Sequence, residues 1–305
     1  MTLFYCPKHE RAAIELSGEA VGSFLNDLLT SEISKLPVGE MQMSCLLSPQ
    51  GRILHDMLIF RIKADRFWIE VSKNQMLSLK KSFEMYRLRK IVTIKILKKW
   101  CSGHLFYKNE KHFTPEKIKE IRLDLNDNEF IFKDPRCVAL GLHLIKNDKI
   151  SKETKRNWKE VELPTWEIIR ISNMVPLGNT DLTQNRALAL EANLDIFSAV
   201  DFNKGCFIGQ EVTARTKYRG LVKKRLIPIS SKAALKKDMR IFQNEKEIGI
   251  CHSSIRLENG SYLALATLRL DAIKLNINAK KTLKSNLASV AIEIPSWYEL
   301  KTVLK

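Results

Sequence analysis

Apolar positions along the chain fall into two rhythms, one strand-like and one helical. Arg11–Leu16 reads as a strand. After Ser17, a candidate N-cap, Val21, Phe24, Leu25, Leu28 and Leu29 recur at helical spacing until Thr30-Ser31. Met41, Met43, Cys45 and Leu47 alternate with Gln42, Ser44 and Leu46, which predicts a half-buried strand. Ser48-Pro49-Gln50-Gly51 is a turn with proline second and glycine fourth. Strands follow over Ile53–Ile62 and, after Lys63-Ala64-Asp65, over Phe67–Val71. Met76, Leu79, Phe83 and Tyr86 share one face of a helix predicted over Asn74–Arg89, and Ile91–Leu97 reads as a strand. The order β-α-β-β-β-α-β is close to a ferredoxin-like split unit with one extra strand.

The middle of the chain is less regular. Cys101–Asn128 is polar and is expected to form surface connections. Glu129–Phe132 and Val138–Gly141 are expected as short strands around Asp134-Pro135-Arg136, and Lys146–Glu160 as a solvated helix or loop. Thr165–Ser172 is helical in pattern and has to stop before Pro176. From Gly220 onward strand-like runs return, at Leu221–Ile229, Met239–Phe242, Glu247–Cys251, Tyr262–Leu270 and Ala288–Ile294. Turns such as Glu258-Asn259-Gly260 separate them, and that spacing suggests a small barrel. The reading is therefore an α+β chain with modules over 1–100, 101–219 and 220–305.

Composition narrows the function classes. The 305 residues include 45% hydrophobic and 8% aromatic side chains, the balance of a globular protein. No run of eighteen apolar residues is present, and Met1–Pro7 lacks a basic stretch followed by an apolar one. The expectation is a cytoplasmic protein without a membrane partner. Six cysteines (6, 45, 101, 137, 206 and 251) are scattered without a C-x-x-C pair, so neither a zinc site nor a disulfide framework is expected, and no residue is assigned to a metal. The net charge of +17 suits anionic cofactors or nucleic acid. The same excess is also what charges spread over solvated faces would give.

One stretch carries candidate chemistry: Asn203-Lys204-Gly205-Cys206-Phe207-Ile208-Gly209-Gln210-Glu211. Its glycines permit a tight turn. A helix start near Ile208 and the neighbouring Lys204 would together favour the Cys206 thiolate, the reactive form. Glu211, early in the helix, is favoured by the helix dipole, and Gln210 can satisfy backbone groups of the turn. Arg215, Lys217, Arg219, Lys223, Lys224 and Arg225 follow as a basic run.

Lys-Gly-Cys-aromatic-Ile-Gly-Gln-Glu resembles the hallmark of the folate-binding YgfZ family, relatives of the glycine-cleavage T-protein. The likeness extends to Leu190–Asp195, Ala214-Arg215-Thr216, Gly220, Lys223–Leu226, Leu46–Arg52, Asp134-Pro135-Arg136 and Arg170-Ile171 before Val175-Pro176. The branch that it resembles most includes a mitochondrial iron–sulfur assembly factor. The resemblance implies a glycine-cleavage T-protein-like α+β fold, with a ferredoxin-like N-terminal module, a second α+β module and a small C-terminal β-barrel around a central cavity. It also implies that tetrahydrofolate or a derivative binds there. In that setting Cys206 is the candidate catalytic residue, and Asp56, Arg170, Glu191, Asn193, Lys204, Gln210 and Glu211 are candidates for the cofactor site.

Two departures from the family pattern matter. Where the T-protein carries paired aspartates, this chain has His55 followed by Asp56, which argues against aminomethyl transfer. The turn after Arg170 reads Ser172-Asn173-Met174-Val175-Pro176 without glycine, so Asn173 is expected in the left-handed conformation. The resemblance implies a folate-binding accessory protein for assembly or repair of iron–sulfur clusters, with iron–sulfur assembly proteins or enzymes as partners. Its influence on tRNA modification would be indirect. Two alternatives stay open: a folate-dependent C1 transferase or demethylase, and a basic module that contacts tRNA directly.

Overall fold

The computed structural model describes residues 2–8, 10–108, 113–126, 128–155, 157–220, 222–279, 283–285 and 288–298. Of the stretches discussed above, Met1, 109–112, Asp127, Arg156, Leu221 and 299–305 lie outside the described residues. Backbone contacts divide the chain into two compact units: residues 1–166 with 195–210, and residues 167–194 with 211–305.

The first unit contains β1 (Leu3–Lys8), β2 (Arg11–Ser17), α1 (Val21–Leu28), β3 (Met41–Leu47), β4 (Ile53–Lys63), β5 (Arg66–Ser72), α2 (Met76–Arg87), β6 (Thr93–Leu97), β7 (Cys101–Phe106), α3 (Pro115–Leu123), β8 (Phe130–Lys133), β9 (Leu142–Lys146), α4 (Lys152–Lys155) and β10 (Trp158–Glu160). They build two five-stranded sheets, ordered β3-β4-β5-β2-β6 and β10-β1-β7-β9-β8. Strand alternation gives each sheet two faces. In the first sheet, Ile14, Leu16, Met57, Ile59, Phe67, Ile69 and Val71 share a core with Phe24 and Leu25 of α1 and Leu79 and Phe83 of α2. In the second, Leu3, Tyr5, Leu105, Leu142 and Leu144 share a core with Ile121 of α3.

The remaining two faces meet each other. Phe60 stacks at a tilt on Phe132, with ring centroids 5.0 Å apart, and Trp68 meets Phe130 edge-on at 5.4 Å. Among these rings sits a buried ion cluster centred on Glu70, which has no solvent exposure. Its carboxylate accepts from Arg11 Nε at 2.9 Å and Trp100 Nε1 at 3.2 Å. It also pairs with His143 Nε2 at 3.2 Å and Lys8 Nζ at 3.6 Å. Burial by itself would raise the Glu70 pKa, but His143, Lys8 and Arg11 outweigh it and hold the group well below the usual carboxylate range. Burial pushes His143 down to about 4 and Lys8 down to about 7.

The second unit takes up α5 (Leu163–Ser172), which begins just before its boundary, α6 (Gly178–Asp181) and α7 (Gln210–Tyr218). The chain then forms β11 (Lys224–Ser231), β12 (Arg240–Gln243), β13 (Lys246–Arg256), β14 (Tyr262–Arg269), α8 (Leu270–Ala279), β15 (Leu283–Ser285) and β16 (Ala288–Ile292). The six strands close as a barrel in the order β11-β14-β13-β12-β15-β16, with β11 also pairing β16. Among the described residues, no helix is long and apolar enough to cross a membrane.

The structure corrects several sequence readings. Ser17 is the last residue of β2 and does not cap α1, whose N-cap position is Ala20 without a side-chain cap. Between them Gly18, at φ 128°, approaches the Ile91 carbonyl so closely that a Cβ would lie 2.6 Å from it. Cys101–Phe106 is a central strand and not a surface connection. Its polar residues Ser102 and His104 are buried, and a Cβ on Gly103 would strike the Tyr5 ring at 2.4 Å. Thr114 caps α3, accepting from Lys117 N at 3.3 Å, with Pro115 in the first turn. Val138–Leu140 is a 3-10 turn, and the strand begins only at Leu142. Part of the charged stretch after Lys146 forms edge strand β10, parallel to β1, and α8 and β15 were not legible in the pattern.

Breaking the central ion cluster should be more damaging than replacing it. Glu70→Gln leaves buried cations short of an anion and should cost about 3–5 kcal/mol in urea unfolding. The double variant Glu70→Met with Lys8→Met should recover part of that loss. Equal losses for single and double variants would show that Glu70 is not holding Lys8.

Candidate functional site

The cysteine motif lies in the first unit and is fixed at both ends by backbone. Lys204 is 7% exposed, and its ammonium donates to the carbonyls of Asn26, Leu29 (2.7 Å) and Ser31 (2.9 Å), closing the C-terminal end of α1. The Phe207 ring lies 5.4 Å from its Nζ. Burial lowers the Lys204 pKa to about 8. Just upstream, Asp201 N donates to Thr30 O at 2.9 Å, and Thr30 Oγ1 donates to Ala199 O at 2.6 Å. The stretch from Ala199 to Lys204 is thus stapled to residues 26–31.

At the other end, Gly209 adopts φ 80° against the Ser48–Gly51 turn. A Cβ there would come within 2.6 Å of Ser48 O and 3.1 Å of Gly51 Cα, both backbone atoms that cannot yield. That contact joins two distant stretches, Leu47–Gly51 and Gly205–Gln210. Gln210 Nε2 donates to Gly205 O at 3.4 Å across the loop. Phe207 is buried, and Ile208 packs against the core that holds α1 and α2. Cys206, between these anchors, is exposed. The helix that follows starts at Gln210 and not at Ile208, so the thiol stands four residues ahead of it. Of the six cysteines, 6, 45 and 251 are buried and 101 and 137 are half-buried. Burial and Asp56 push the Cys45 thiol well up, and burial pushes Cys251 up to about 12, which leaves both as poor nucleophiles near neutral pH.

Asp56 and His55 lie on β4, opposite Cys45 and Leu46 of β3. Both are buried, at 6% and 3% exposure. Burial lowers the His55 pKa, favouring the uncharged imidazole.

The other candidates belong to the second unit. Arg170 is fully buried, and all its donating nitrogens are used. Nε and Nη2 engage the Glu167 carboxylate at 2.8 and 2.5 Å. Nη1 donates to Asp181 Oδ2 at 2.8 Å and Val175 O at 3.1 Å, and Nη2 donates to Ser253 Oγ at 2.7 Å. Ser253 sits where the β13–β14 register shifts, which frees its N–H to donate to Asp181 Oδ1 at 2.9 Å. Arg170 therefore clamps the turn behind it onto the barrel. In that turn Met174, at φ 63°, takes the left-handed position expected of Asn173. Asn173 instead donates to Ile169 O at 2.8 Å and accepts from Trp297 Nε1 at 2.8 Å.

Asn193 is fully buried at φ 64°, and its Nδ2 donates to Leu226 O at 2.6 Å. Its Oδ1 has no hydrogen-bond partner among the described residues. Glu191 is half-buried nearby in sequence, and Glu211 is exposed in the first turn of α7. In the basic run, Arg215, Lys217, Arg219, Lys223 and Lys224 are exposed, whereas Arg225 is buried and donates to Leu190 O. Lys204, Cys206 and Gln210 are thus brought together, while Arg170, Glu191 and Asn193 belong to the other unit.

The two motif glycines should respond differently to a methyl group. Gly209→Ala should cost about 1–3 kcal/mol, because the left-handed backbone and the Ser48 carbonyl both oppose it. Gly205→Ala meets nothing within 4 Å and should leave the melting temperature close to that of the parent. Differential scanning calorimetry of the pair decides the point, and equal effects would mean that Gly209 does not rest on the Ser48 turn.

Comparison with known proteins agrees with this architecture. Residues 9–99 match the GCVT N-terminal domain, and residues 223–300 match the CAF17 C-terminal beta-barrel domain. The chain is 28% identical over 306 residues to the mitochondrial iron-sulfur cluster assembly factor IBA57 of Mus musculus, covering 94% of this chain and 83% of that one. It is 29% identical over 225 residues to the mitochondrial IBA57 homolog of Neurospora crassa, covering 72% of this chain but 51% of that protein. It thus spans about half the length of this fungal relative. The aminomethyltransferase T of Bartonella henselae superposes with a TM-score of 0.76 over 98% of this chain and 87% of its own, at 13% identity, a likeness of fold. The relatives are named as mitochondrial, which overturns the expectation of a cytoplasmic protein. The chain therefore has the fold of the glycine-cleavage T-protein, with one stretch that matches the GCVT N-terminal domain and another that matches the CAF17 C-terminal β-barrel domain.

Proposed function

We propose that the chain is an accessory factor for the assembly or repair of iron–sulfur clusters, acting in mitochondria as its relatives are named to do. The observation that carries this reading is the exposed Cys206 thiol on a turn whose two ends are pinned by Lys204 and Gly209. A single cysteine supplies one thiolate to a cluster, and the remaining ligands come from a partner iron–sulfur assembly protein or recipient enzyme. Preorganisation of the turn lowers the ordering cost of presenting that ligand.

Reduced folate is proposed as a second ligand, supported by the GCVT domain match and the aminomethyltransferase fold. Glu191 offers a half-buried carboxylate to a pterin edge, and Asn193 Oδ1 is an acceptor without a partner among the described residues. Arg170, already saturated, serves by fixing the turn beside it. The buried His55 where the T-protein carries an acid is the reason to set carrier-linked aminomethyl transfer aside. An effect on tRNA modification follows through iron–sulfur enzymes and needs no direct contact.

The test separates the two parts. In cells that depend on this chain, Cys206→Ser should lower iron–sulfur enzyme activities several-fold while protein level and melting temperature hold, because the thiol is exposed. Full activity with Cys206→Ser would remove the cysteine from the mechanism. Tetrahydrofolate should raise the melting temperature of the purified protein, by mass action worth about 2.7 kcal/mol at about a hundredfold excess over Kd. No shift at saturating folate would remove that ligand and leave the cluster role standing.

A further inference from the structure

Within the first unit, the sheet face opposite Glu70 holds a group of side chains that the cysteine chemistry does not use. His104 of β7 and His143 of β9 are direct cross-strand partners, with ring centroids 4.7 Å apart. Asp134 stands in the turn between β8 and β9, anchored by its own N–H donating to Gly141 O at 3.0 Å. One nitrogen of each histidine and one carboxylate oxygen of Asp134 all lie within 4.8 Å of one another, and all three residues are buried. Neither ring nitrogen of His104 has a hydrogen-bond partner among the described residues, nor has Nδ1 of His143. Burying an imidazole with its polar atoms unmet is costly, and a native protein rarely leaves such atoms without a ligand.

We propose that His104, His143 and Asp134 form a structural site for a borderline divalent transition ion of the Zn²⁺ or Fe²⁺ class. Two imidazoles and one carboxylate are the donor set that such ions favour, whereas Mg²⁺ and Ca²⁺ prefer oxygen alone. The outer contacts suit the role. Glu70 Oε2 sits 3.2 Å from His143 Nε2 and so orients that ring with Nδ1 left over, the carboxylate–histidine arrangement that supports metal ligands. Asp134 is held by Arg136, whose backbone N (3.0 Å) and Nε (2.9 Å) both donate to Oδ1 and whose Nη2 (2.5 Å) donates to Oδ2. A carboxylate oxygen has two lone pairs, so Oδ2 can still face a metal. His104 stacks on Trp166 at 4.3 Å and meets the His143 ring edge-on at 4.7 Å, so binding an ion would move it inward. That movement is required, since tetrahedral ligand atoms about 2.0–2.1 Å from an ion lie closer together than the present spacing.

Arg11, Arg136 and Lys8 all lie around the cluster, against the carboxylates Glu70 and Asp134. These cations oppose a further positive charge, so the affinity is expected to be micromolar and not that of a zinc finger. With every protein ligand buried, the ion would tie β7, β9 and the Asp134 turn together, its fourth position taken by an enclosed water. The site is independent of Cys206.

Cobalt(II) is the probe, because tetrahedral nitrogen and oxygen ligation gives a visible absorption band. The full-length chain carrying Cys206→Ser, which removes the exposed thiol as a competing ligand, is titrated with Co²⁺. The expected result is one saturable equivalent with a visible band, displaced by Zn²⁺, together with a rise in melting temperature. His104→Leu should abolish both the band and the metal-dependent rise, while its metal-free melting temperature stays level or increases because two unmet nitrogens are gone. If His104→Leu does not fold, Asp134→Asn serves, since it keeps an oxygen for Arg136 but removes the anionic ligand. No saturable band, or a band that survives both substitutions, overturns the site and leaves His104 as a buried histidine met by water.

Discussion

The first unit depends on how two sheets can bury a carboxylate between them. Glu70 projects from β5 into a face otherwise filled by Phe60, Trp68, Phe130 and Phe132, where an unpaired charge would cost several kcal/mol. Arg11 from β2, Lys8 from β1, His143 from β9 and Trp100 after β6 converge on it. An apolar face would allow the two sheets to slide, because hydrophobic contact is not directional. The ion cluster admits one register, since a shift of one residue on β1 or β9 would send Lys8 or His143 to the other side of its sheet.

That fixed frame bears on the chemistry through α1 and the Ser48 turn. The turn closes the β3–β4 hairpin, whose strands pack in the same sheet as Glu70. Lys204 meets the carbonyls at the end of α1, and Gly209 lies on the turn itself. Both anchors therefore rest on rigid elements, although the motif between them is a loop. A side chain carried on such a loop is exposed while the backbone beneath it is held by rigid elements. The second unit uses the same logic in another place: a bulge in β13 frees the Ser253 N–H, Asp181 accepts it, and Arg170 locks a left-handed Met174 in the turn beside them.

The comparisons and the site converge from different directions. The domain matches and the T-protein-like fold account for the scaffold, and His55 and Asp56 lie buried on β4 within it. Cys206 stands exposed on that scaffold, on the turn pinned by Lys204 and Gly209. Localisation is the clearest case where residue patterns misled, because reading a targeting class from an unremarkable first stretch relied on what was missing.

The sequence by itself determined the local elements with a strong rhythm: the helix through Val21–Leu28, the strands from Met41 to Ser72, and most of the barrel strands. It also determined the cysteine motif, because glycine, lysine and glutamine spacing there is distinctive without any structure. It did not reveal that Cys101–Phe106 is a central strand, since Ser102 and His104 read as polar and become buried only when β1 and β9 flank them. Nor could it tell Lys204 as a helix-end clamp from Lys204 as a partner of the thiol, or Arg170 as an internal clamp from a ligand contact. Those roles depend on which carbonyls and carboxylates come within about 3 Å, a distance between residues far apart in the chain. Side-chain type and spacing set which groups are available, and only the packing of the sheets, the α1 end and the β13 bulge decided which of them meet.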